Sequence, residues 1–325
     1  MKHIIICICI LSLTATLQAQ YPPRAGAVGS TAIHVDSVQW SGWATQGTII
    51  RGPMDITQPT LGFVTAGSIE AVYGRATENG VVSLGDGGSV TLLFDPPIID
   101  APGFDFAVFE NGFLYRDSLD FLELAFVEVS SDGEYFARFP SVSVTQNVFQ
   151  SNPFDGLVAS HMHNLAGKYT VGYGTPFDLQ DLQNDTQINL QSISHLRIVD
   201  VVGNIDALYA SKDAAGNIIN DPWPTPYPTG GFDLDAVGVI HQNTSNTITS
   251  NAQNDFRIYP NPATSGSILS IPENGNLYIM NVNGSYIENM QCEQGKARLP
   301  EAIAPGIYII SNHDKSKYSR ICITK

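Results

Sequence analysis

The stretch Leu122-Glu123-Leu124-Ala125-Phe126-Val127-Glu128-Val129 carries apolar side chains at even spacing and runs into the turn Ser131-Asp132-Gly133. Alternation with a period of two is typical of a β-strand with one buried face, and Ser, Asp and Gly are common where a chain turns back. The stretch therefore predicts a strand that ends in a tight turn.

Four more runs of this kind are spread over the first 242 residues, and Gly, Pro or Asn-Gly turn signals bound them. No long segment has helical periodicity; one short helix is expected at Phe177–Leu182, with Asp178 near its N-terminus. Short β-branched runs with such punctuation predict an all-β chain whose large domain is a jelly-roll-like β-sandwich. The four runs are residues 89–94, 105–110, 195–202 and 232–240.

The beginning of the chain has the pattern of a secretory signal peptide. Met1-Lys2-His3 is basic, Ile4 to Leu13 is apolar but too short to span a bilayer, and Ala19 offers a small residue for cleavage. No other stretch is long and apolar enough to cross a membrane, so the mature protein is expected to have no integral membrane segment.

A neutral polar stretch from Gln242 to Asn254 carries no charge and almost no apolar bulk, which is typical of a flexible linker. The predicted organisation is a signal peptide (1–19), an acidic β-sandwich domain (20–242), a linker (243–254) and a terminal domain (255–325). Residues 21–242 carry 25 Asp and Glu against 8 Lys and Arg, whereas residues 255–325 carry 6 against 7. Nucleic acid is disfavoured as a partner because phosphate binding needs clustered Lys and Arg.

The terminal domain opens with Phe256-Arg257-Ile258-Tyr259-Pro260-Asn261-Pro262-Ala263 and continues through Leu277–Asn281 and Gly306–Ile310. These motifs resemble the type A C-terminal sorting domain of the type IX secretion system. The resemblance implies a small β-sandwich, recognition by the type IX secretion machinery, and a secreted or outer-surface location. Cys292 and Cys322 fall in this domain; an exported compartment permits a disulfide between them, and two buried free thiols are the alternative.

A second resemblance covers most of the acidic domain. Its motifs resemble a secreted domain of many bacterial cell-surface proteins, whose activity is not settled and for which corrinoid capture is one suggestion. The segment Val127–Gly133, followed by Phe136, is also similar to strands of galactose-binding-like jelly rolls. The motifs of the first likeness are residues 82–92, 104–112, 125–133, 166–169, 221–224 and 231–237.

Four acidic residues in predicted strands are candidate metal ligands: Glu110, Asp200, Asp233 and Asp235. Residues two apart in a strand share a face, which predicts that Asp233 and Asp235 point the same way, together with Val237. Carboxylates near a core need a partner, and the domain has few cations. Calcium, which takes several hard oxygen ligands, would supply one. The alternative is that these acids accept hydrogen bonds from turn N–H groups or lie in solvent.

Aromatic residues are the candidate ligand-binding surface. Trp223 and Tyr227 lie in a stretch with four prolines, residues 221–228, which forbids ladder pairing and predicts a stiff loop. A rigid aromatic ring beside carboxylates suits a sugar ring or another flat ligand. Trp40 and Trp43 form a second candidate pair. Either pair can instead close over the core.

Catalysis has weaker signals. Glu110 with Glu128 or Asp105 would be a carboxylate pair for glycoside hydrolysis. His161 and His163 share a face if their segment is a strand, which is a zinc-pair pattern, although two polar loop histidines are the commoner reading. The leading prediction is a secreted, noncatalytic binder of a glycan or small molecule. The alternatives are a glycoside hydrolase, surface capture of a nutrient such as a corrinoid, and a structural or adhesive surface protein.

Overall fold

The computed structural model describes residues 21–116, 118–243, 256–281, 286–312 and 318–325. The predicted signal peptide (1–19) and all but one residue of the predicted linker (243–254) lie outside the described residues. The chain divides into two compact units, Met1–Thr244 and Ser245–Lys325. No helix in the described part of the chain has the length and apolar character that a membrane crossing requires.

Strands dominate the first unit, and its helices are single 3-10 turns at Pro59–Leu61, Ile69–Val72, Ala159–His161 and Leu179–Leu182. The strands are β1 Ile33–His34, β2 Gly42–Trp43, β3 Gln46–Ile50, β4 Val82–Ser83, β5 Ser89–Ile98, β6 Phe106–Glu110, β7 Phe113–Arg116, β8 Leu119–Phe121, β9 Ala125–Ser130, β10 Ala137–Arg138, β11 Val142–Ser143, β12 Met162–His163, β13 Tyr173–Phe177, β14 Ile193–Asp200 and β15 Asp233–Val239.

Two antiparallel sheets face each other in this unit. One has the order β1-β13-β6-β15-β2, with β4 also paired to β15, and the other has the order β10-β9-β14-β5-β3. The main apolar core takes Leu92, Val127 and Ile198 from the second sheet and Phe106 and Leu234 from the first. The chain is therefore all-β and its large unit is a β-sandwich, as predicted; the jelly-roll topology stays a prediction.

The strand around the opening stretch begins later than its sequence pattern predicts. The strand starts at Ala125, because the Leu124 N–H donates to the Asp221 carboxylate (3.2 Å) instead of to a neighbouring strand. The short helix is confirmed as the 3-10 turn Leu179–Leu182. Asp178 is its N-cap residue and accepts a hydrogen bond from the Gln180 N–H (2.9 Å).

The face assignment predicted for β15 is wrong, because the strand contains a bulge. Leu234 is paired with Glu110 and Ala236 with Phe109, so Asp235 is an extra residue opposite β6. Leu234 and Val237 both enter the main core, whereas Ala236 packs on the other side of the sheet. Strict alternation fails at Asp235, and Asp233 and Asp235 accordingly have different surroundings.

The second unit is one continuous seven-stranded sheet in the order β16-β22-β21-β18-β19-β20-β17. All seven strands contribute side chains to a single apolar core, among them Leu269, Ile279, Ile310 and Ile323. The strands are β16 Ala263–Thr264, β17 Ile268–Ser270, β18 Gly275–Asn281, β19 Tyr286–Glu293, β20 Lys296–Arg298, β21 Gly306–Asn312 and β22 Tyr318–Thr324.

The cysteines of the second unit are free, which corrects the disulfide expectation. Cys292 lies on β19 and Cys322 on β22, and two other strands separate these in the sheet. Three strand spacings amount to about 14 Å. A disulfide needs Cα atoms within about 7 Å of each other.

Candidate functional site

Buried carboxylates gather at one end of the sandwich, where β6 and β14 end and β9 and β15 begin. Six acidic side chains lie there, each within electrostatic range of at least one other, and each is at most 8 % exposed. We call them the carboxylate cluster: Asp86, Glu110, Glu123, Asp200, Asp221 and Asp233.

The Gly85–Gly88 turn before β5 supports one side of the cluster. Asp200 accepts hydrogen bonds from the Gly87 N–H (2.9 Å) and the Phe232 N–H (2.7 Å), one on each oxygen. Gly231 has a φ of 71°, and a Cβ there would lie 2.8 Å from Asp200 Oδ1. Both carboxylate oxygens of Asp200 are therefore held by backbone donors in a tightly packed corner.

Asp233 and Glu110 come from neighbouring strands of the other sheet. Asp233 accepts hydrogen bonds from the Ser83 hydroxyl and the Asn111 amide (3.1 Å). Glu110 Oε2 accepts the Gly112 N–H (2.8 Å), whereas Glu110 Oε1 is buried with no hydrogen-bond partner.

Asp221 and Glu123 complete the cluster. Asp221 Oδ2 accepts the Leu124 N–H, and Asp221 Oδ1 is buried without a partner. The Glu123 side chain, 6 % exposed, has no hydrogen bond with any described residue. Three carboxyl groups in one region thus have acceptor capacity that the described protein does not use.

Burial raises the pKa of every carboxyl group in the cluster, and the neighbouring carboxylates add to the shift for most of them. The pKa values of Glu110, Glu123 and Asp221 lie well above the usual range, and that of Asp200 is raised to about 8. No ion pair between a described Lys or Arg and a member of the cluster is present. Arg51, whose neighbour Gly52 donates its N–H to the Leu84 carbonyl beside the Gly85–Gly88 turn, donates its side-chain N–H groups to the backbone carbonyls of Ala66, Ser83 and Gly67.

A cavity of about 230 Å³ opens beside the cluster, and we call it the aromatic cavity. Phe113 and Phe121 are stacked with ring centroids 4.8 Å apart, and Phe154 lies 6.3 Å from Phe121. Glu123 and Asp233 belong to both the cavity and the cluster. The lining residues are Asn111, Phe113, Phe121, Glu123, Pro153, Phe154, Thr225, Tyr227, Thr229 and Asp233.

The proline loop, residues 221–228, contributes residues both to the carboxylate cluster and to the aromatic cavity. Asp221 is in the cluster, and Tyr227, 49 % exposed, lines the aromatic cavity. Trp223 is half-buried, and its indole N–H donates to Asp86 Oδ2 (3.1 Å). Trp223 does not line the cavity and instead fixes the base of the loop.

Trp40 and Trp43 lie elsewhere. Their rings are 5.3 Å apart and each is 5.5 Å from Phe109, on the outer face of the sheet that contains β6 and β15. They cover that face, together with Ala236, and neither lines the aromatic cavity.

The predicted metal ligands are brought together in part. Glu110, Asp200 and Asp233 share the cluster, whereas Asp235 accepts both of its hydrogen bonds from the Thr77 N–H (3.0 and 3.1 Å), outside the cluster. Sequence reasoning missed Asp86, Glu123 and Asp221 as site residues. The sequence contains no signal for Glu123, because strict alternation in Leu122-Glu123-Leu124 would place it on the face opposite the two leucines.

The carboxylate pairs considered for hydrolysis are separated. Glu128 is bound by Arg138 (2.7 Å) and Arg197 (3.3 Å), and Asp105 is bound by His241 (2.8 Å). Asp105 immediately precedes β6 and Glu110 ends it, about 16 Å apart at the usual rise of a strand. The two histidines of the zinc hypothesis line different cavities, His161 one of about 480 Å³ and His163 one of about 170 Å³.

A second group of acidic side chains, outside the carboxylate cluster, has carboxylate oxygens that lie closer together than those of the cluster. Among the described residues, one group of three metal-ligating side chains, Asp100, Asp105 and Asp178, places its ligand atoms within 4.8 Å of one another. Both oxygens of Asp105 already accept hydrogen bonds, from the Ala101 N–H, the Leu179 N–H and His241. The local backbone therefore satisfies the central carboxylate of this group.

Comparison with known proteins bears on the second unit. Residues 257–324 match the family described as secretion system C-terminal sorting domain. The match supports export by type IX secretion, contact with its machinery, and a location at the cell surface or outside the cell. No curated protein matches the chain.

One solved structure with a weak likeness is the BSP domain of a biofilm-associated protein. It is 12% identical with a TM-score of 0.17, and the likeness covers 77% of this chain and 53% of that chain. This chain thus spans about half the length of that structure.

Proposed function

We propose that the first unit is a noncatalytic ligand-binding module, exported by its sorting domain, and that the aromatic cavity is its binding site. The observation that carries the proposal is the composition of the cavity, with aromatic rings at the rim and amide, hydroxyl and carboxylate groups between them. Ligand sites are typically concave and apolar, with a few polar groups that fix orientation.

The rim supports the proposed binding site, because its apolar rings are exposed to water, which is energetically unfavourable. Phe113 and Phe154 are 48% and 62% exposed, beside the half-exposed Tyr227. Neighbouring exposed apolar side chains on a soluble protein mark interaction sites more often than single ones do. Stacked rings offer a flat surface that suits a sugar ring or another planar group.

The size of the cavity limits what it holds. About 230 Å³ is less than the 300–1,000 Å³ common for drug-sized ligands, so the cavity suits one ring or the edge of a larger ligand. Asn111, Thr225 and Thr229 offer donors and acceptors for hydroxyl groups. A terminal sugar of a glycan is the ligand class that fits best. A whole corrinoid is too large, and only one of its substituents would fit into the cavity.

The test compares two phenylalanines of one loop in the mature protein, residues 20–325. Phe154 lines the cavity, whereas Phe149 is exposed (76%) and does not. Binding is screened on a glycan array and by corrinoid titration. We expect Phe154→Ala to weaken the binding found by about fivefold, since a ring-stacking contact contributes ~1 kcal/mol.

Phe149→Ala is the matched control and is expected to bind like the parent protein. Equal binding by both variants would reject the cavity as the site. Release of a cleaved sugar during the screen would favour the hydrolase alternative, and no binding to any probe would favour a structural or adhesive role.

A further inference from the structure

We infer that Glu110, Glu123, Asp221 and Asp233 hold a divalent cation of the hard, oxygen-preferring kind, Ca²⁺ in the first place, behind the wall of the aromatic cavity. Two of these four residues, Glu123 and Asp221, are not among the metal ligands that the sequence predicts. The cation site goes beyond the proposed function, since it does not depend on which ligand the cavity binds.

The unpartnered oxygens are the first argument. Glu110 is 1% exposed and Asp221 is 4% exposed, and each has one oxygen that accepts a backbone N–H and one with no hydrogen-bond partner. A buried acceptor without a partner is costly, so native proteins rarely leave one unsatisfied. Both atoms belong to the same group of mutually repelling carboxylates, and a single cation among them would satisfy both.

The missing countercharge is the second argument. Glu123 is repelled by Asp233, Glu110, Asp221 and Asp200 together, and it has no hydrogen bond with a described residue. The described Lys and Arg residues that form ion pairs do so with Asp36, Glu78, Asp120 and Glu128, outside the cluster. Ionised carboxylates persist in such a place only when a cation is bound among them.

The kind of cation follows from the ligand atoms. The four side chains offer oxygen only, and no His or Cys belongs to the cluster, which disfavours Zn²⁺ and other softer metals. Among the described residues, no three of these side chains place their ligand oxygens within 4.8 Å of one another. At a metal–oxygen distance of about 2.4 Å, one cation therefore contacts at most two of the four side chains directly, and water molecules link it to the others. Ca²⁺ tolerates such a shell because it accepts 6–8 oxygens in flexible geometry, whereas Mg²⁺ demands a near-ideal octahedron.

The cluster is open to solvent on one side. Glu123 and Asp233 line the aromatic cavity, so two of the four side chains are accessible from that cavity. A partly hydrated site behind an open cavity corresponds to weak binding, with a Kd of about 0.1–1 mM, which is the range of extracellular calcium modules.

The experiment is a thermal-unfolding titration of the mature protein, residues 20–325, after treatment with a chelator. CaCl2, MgCl2 and ZnCl2 are added separately at pH 7.5. We expect Ca²⁺ to raise Tm by about 3–6 °C at ten times its Kd, and Mg²⁺ to raise it less. Glu123→Gln and Asp221→Asn are expected to lose at least half of that rise. Asp235→Asn, a buried acid outside the cluster, is the matched control and is expected to keep it.

Terbium luminescence provides a second measurement that needs no variant. Tb³⁺ has the ligand preferences of Ca²⁺, and Trp223, whose indole N–H is bonded to Asp86 of the cluster, is the candidate energy donor. We expect saturable terbium emission that CaCl2 displaces. The inference is overturned if up to 10 mM Ca²⁺ changes neither Tm nor terbium emission. It is also overturned if Glu123→Gln and Asp221→Asn respond like Asp235→Asn, or if lowering the pH stabilises the protein and Ca²⁺ does not, which would show that protons neutralise the cluster.

Discussion

The indole N–H of Trp223 and the Ile56 N–H donate to the same oxygen of Asp86, at 3.1 and 2.8 Å. The bond from Trp223 ties the proline loop to the turn that precedes β5. Because Tyr227 lies four residues further along this loop and lines the aromatic cavity, the position of Tyr227 depends on a hydrogen bond at the base of the loop.

Replacing Trp223 with phenylalanine keeps a ring and removes the donor. Asp86 is 4% exposed and retains the Ile56 N–H, so its carboxylate becomes less well satisfied. We expect the free energy of unfolding to fall by about 1–2 kcal/mol, measured by urea denaturation. Any ligand of the aromatic cavity is expected to bind more weakly because the loop is less fixed.

Trp40→Phe is the control for this substitution. The Trp40 indole N–H donates to the exposed His34 carbonyl (3.3 Å), which water satisfies when the donor is removed. We expect a smaller loss of stability and unchanged binding. If the two variants lose the same stability, the bond between Trp223 and Asp86 has no special role.

The stability of the protein is expected to depend on pH through Asp235. Burial raises the pKa of Asp235 in the folded state from 3.8 to about 6. The folded state thus binds the proton more tightly than the unfolded state does. The stability that this contributes is fully present below pH 4 and is lost as the pH rises through about 6, to a total of up to about 3 kcal/mol.

Asp235→Asn tests this dependence, because the amide oxygen still accepts the Thr77 N–H and the side chain no longer titrates. Urea denaturation in a chelator at pH 4, 5, 6 and 7 should show a shallower decline for the variant than for the parent protein. Parallel curves would assign the pH dependence to other groups.

The two thiols of the second unit are expected to remain reduced through export. The mature protein should have the same electrophoretic mobility with and without a reducing agent. A thiol reagent should label the half-buried Cys322 of the folded protein faster than the buried Cys292, and both after denaturation. Cys322→Ser identifies the faster site. A mobility change that a reductant reverses would contradict the strand order found here.

Export is expected to require the second unit. Deleting residues 255–325 should leave the protein in the periplasm, because the match to the sorting-domain family covers residues 257–324. Immunoblots of periplasm, outer membrane and medium would measure this. Deleting only the predicted linker, residues 243–254, is the control and should leave export intact. Surface display of the protein that lacks residues 255–325 would contradict the assignment.

The sequence predicted those features that depend on local pattern. Apolar alternation and turn residues located β5, β6, β9, β14 and β15 to within a few residues. The cap at Asp178 was also predictable, since an aspartate at this position accepts from the second N–H that follows it. Inward-facing Glu110 and Asp200 followed from the two-residue period, because the extra residue opposite Glu110 lies in β15 and the pairing of β14 with β9 is regular up to Asp200.

The sequence could not predict which distant segments lie next to each other in the fold. Glu123 and Asp221 are 98 positions apart, and the hydrogen bond from the Leu124 N–H to Asp221 brings them into one region. The aromatic cavity likewise combines β7, β8, the loop with Phe154 and the proline loop. Trp223 was expected to present its ring to a ligand, but its indole N–H donates to the buried carboxylate of Asp86.

The bulge at Asp235 has a consequence for how this protein can vary. Because the extra residue changes the phase of β15, the two aspartates of Asp233-Leu234-Asp235 act on different parts of the molecule, one beside the cavity and one against Thr77. A substitution of one aspartate is therefore expected to leave the contacts of the other unchanged. In an alignment of related chains, the position of Asp235 should be treated as an insertion, and the residue that follows Leu234 in a relative without the bulge is the counterpart of Ala236.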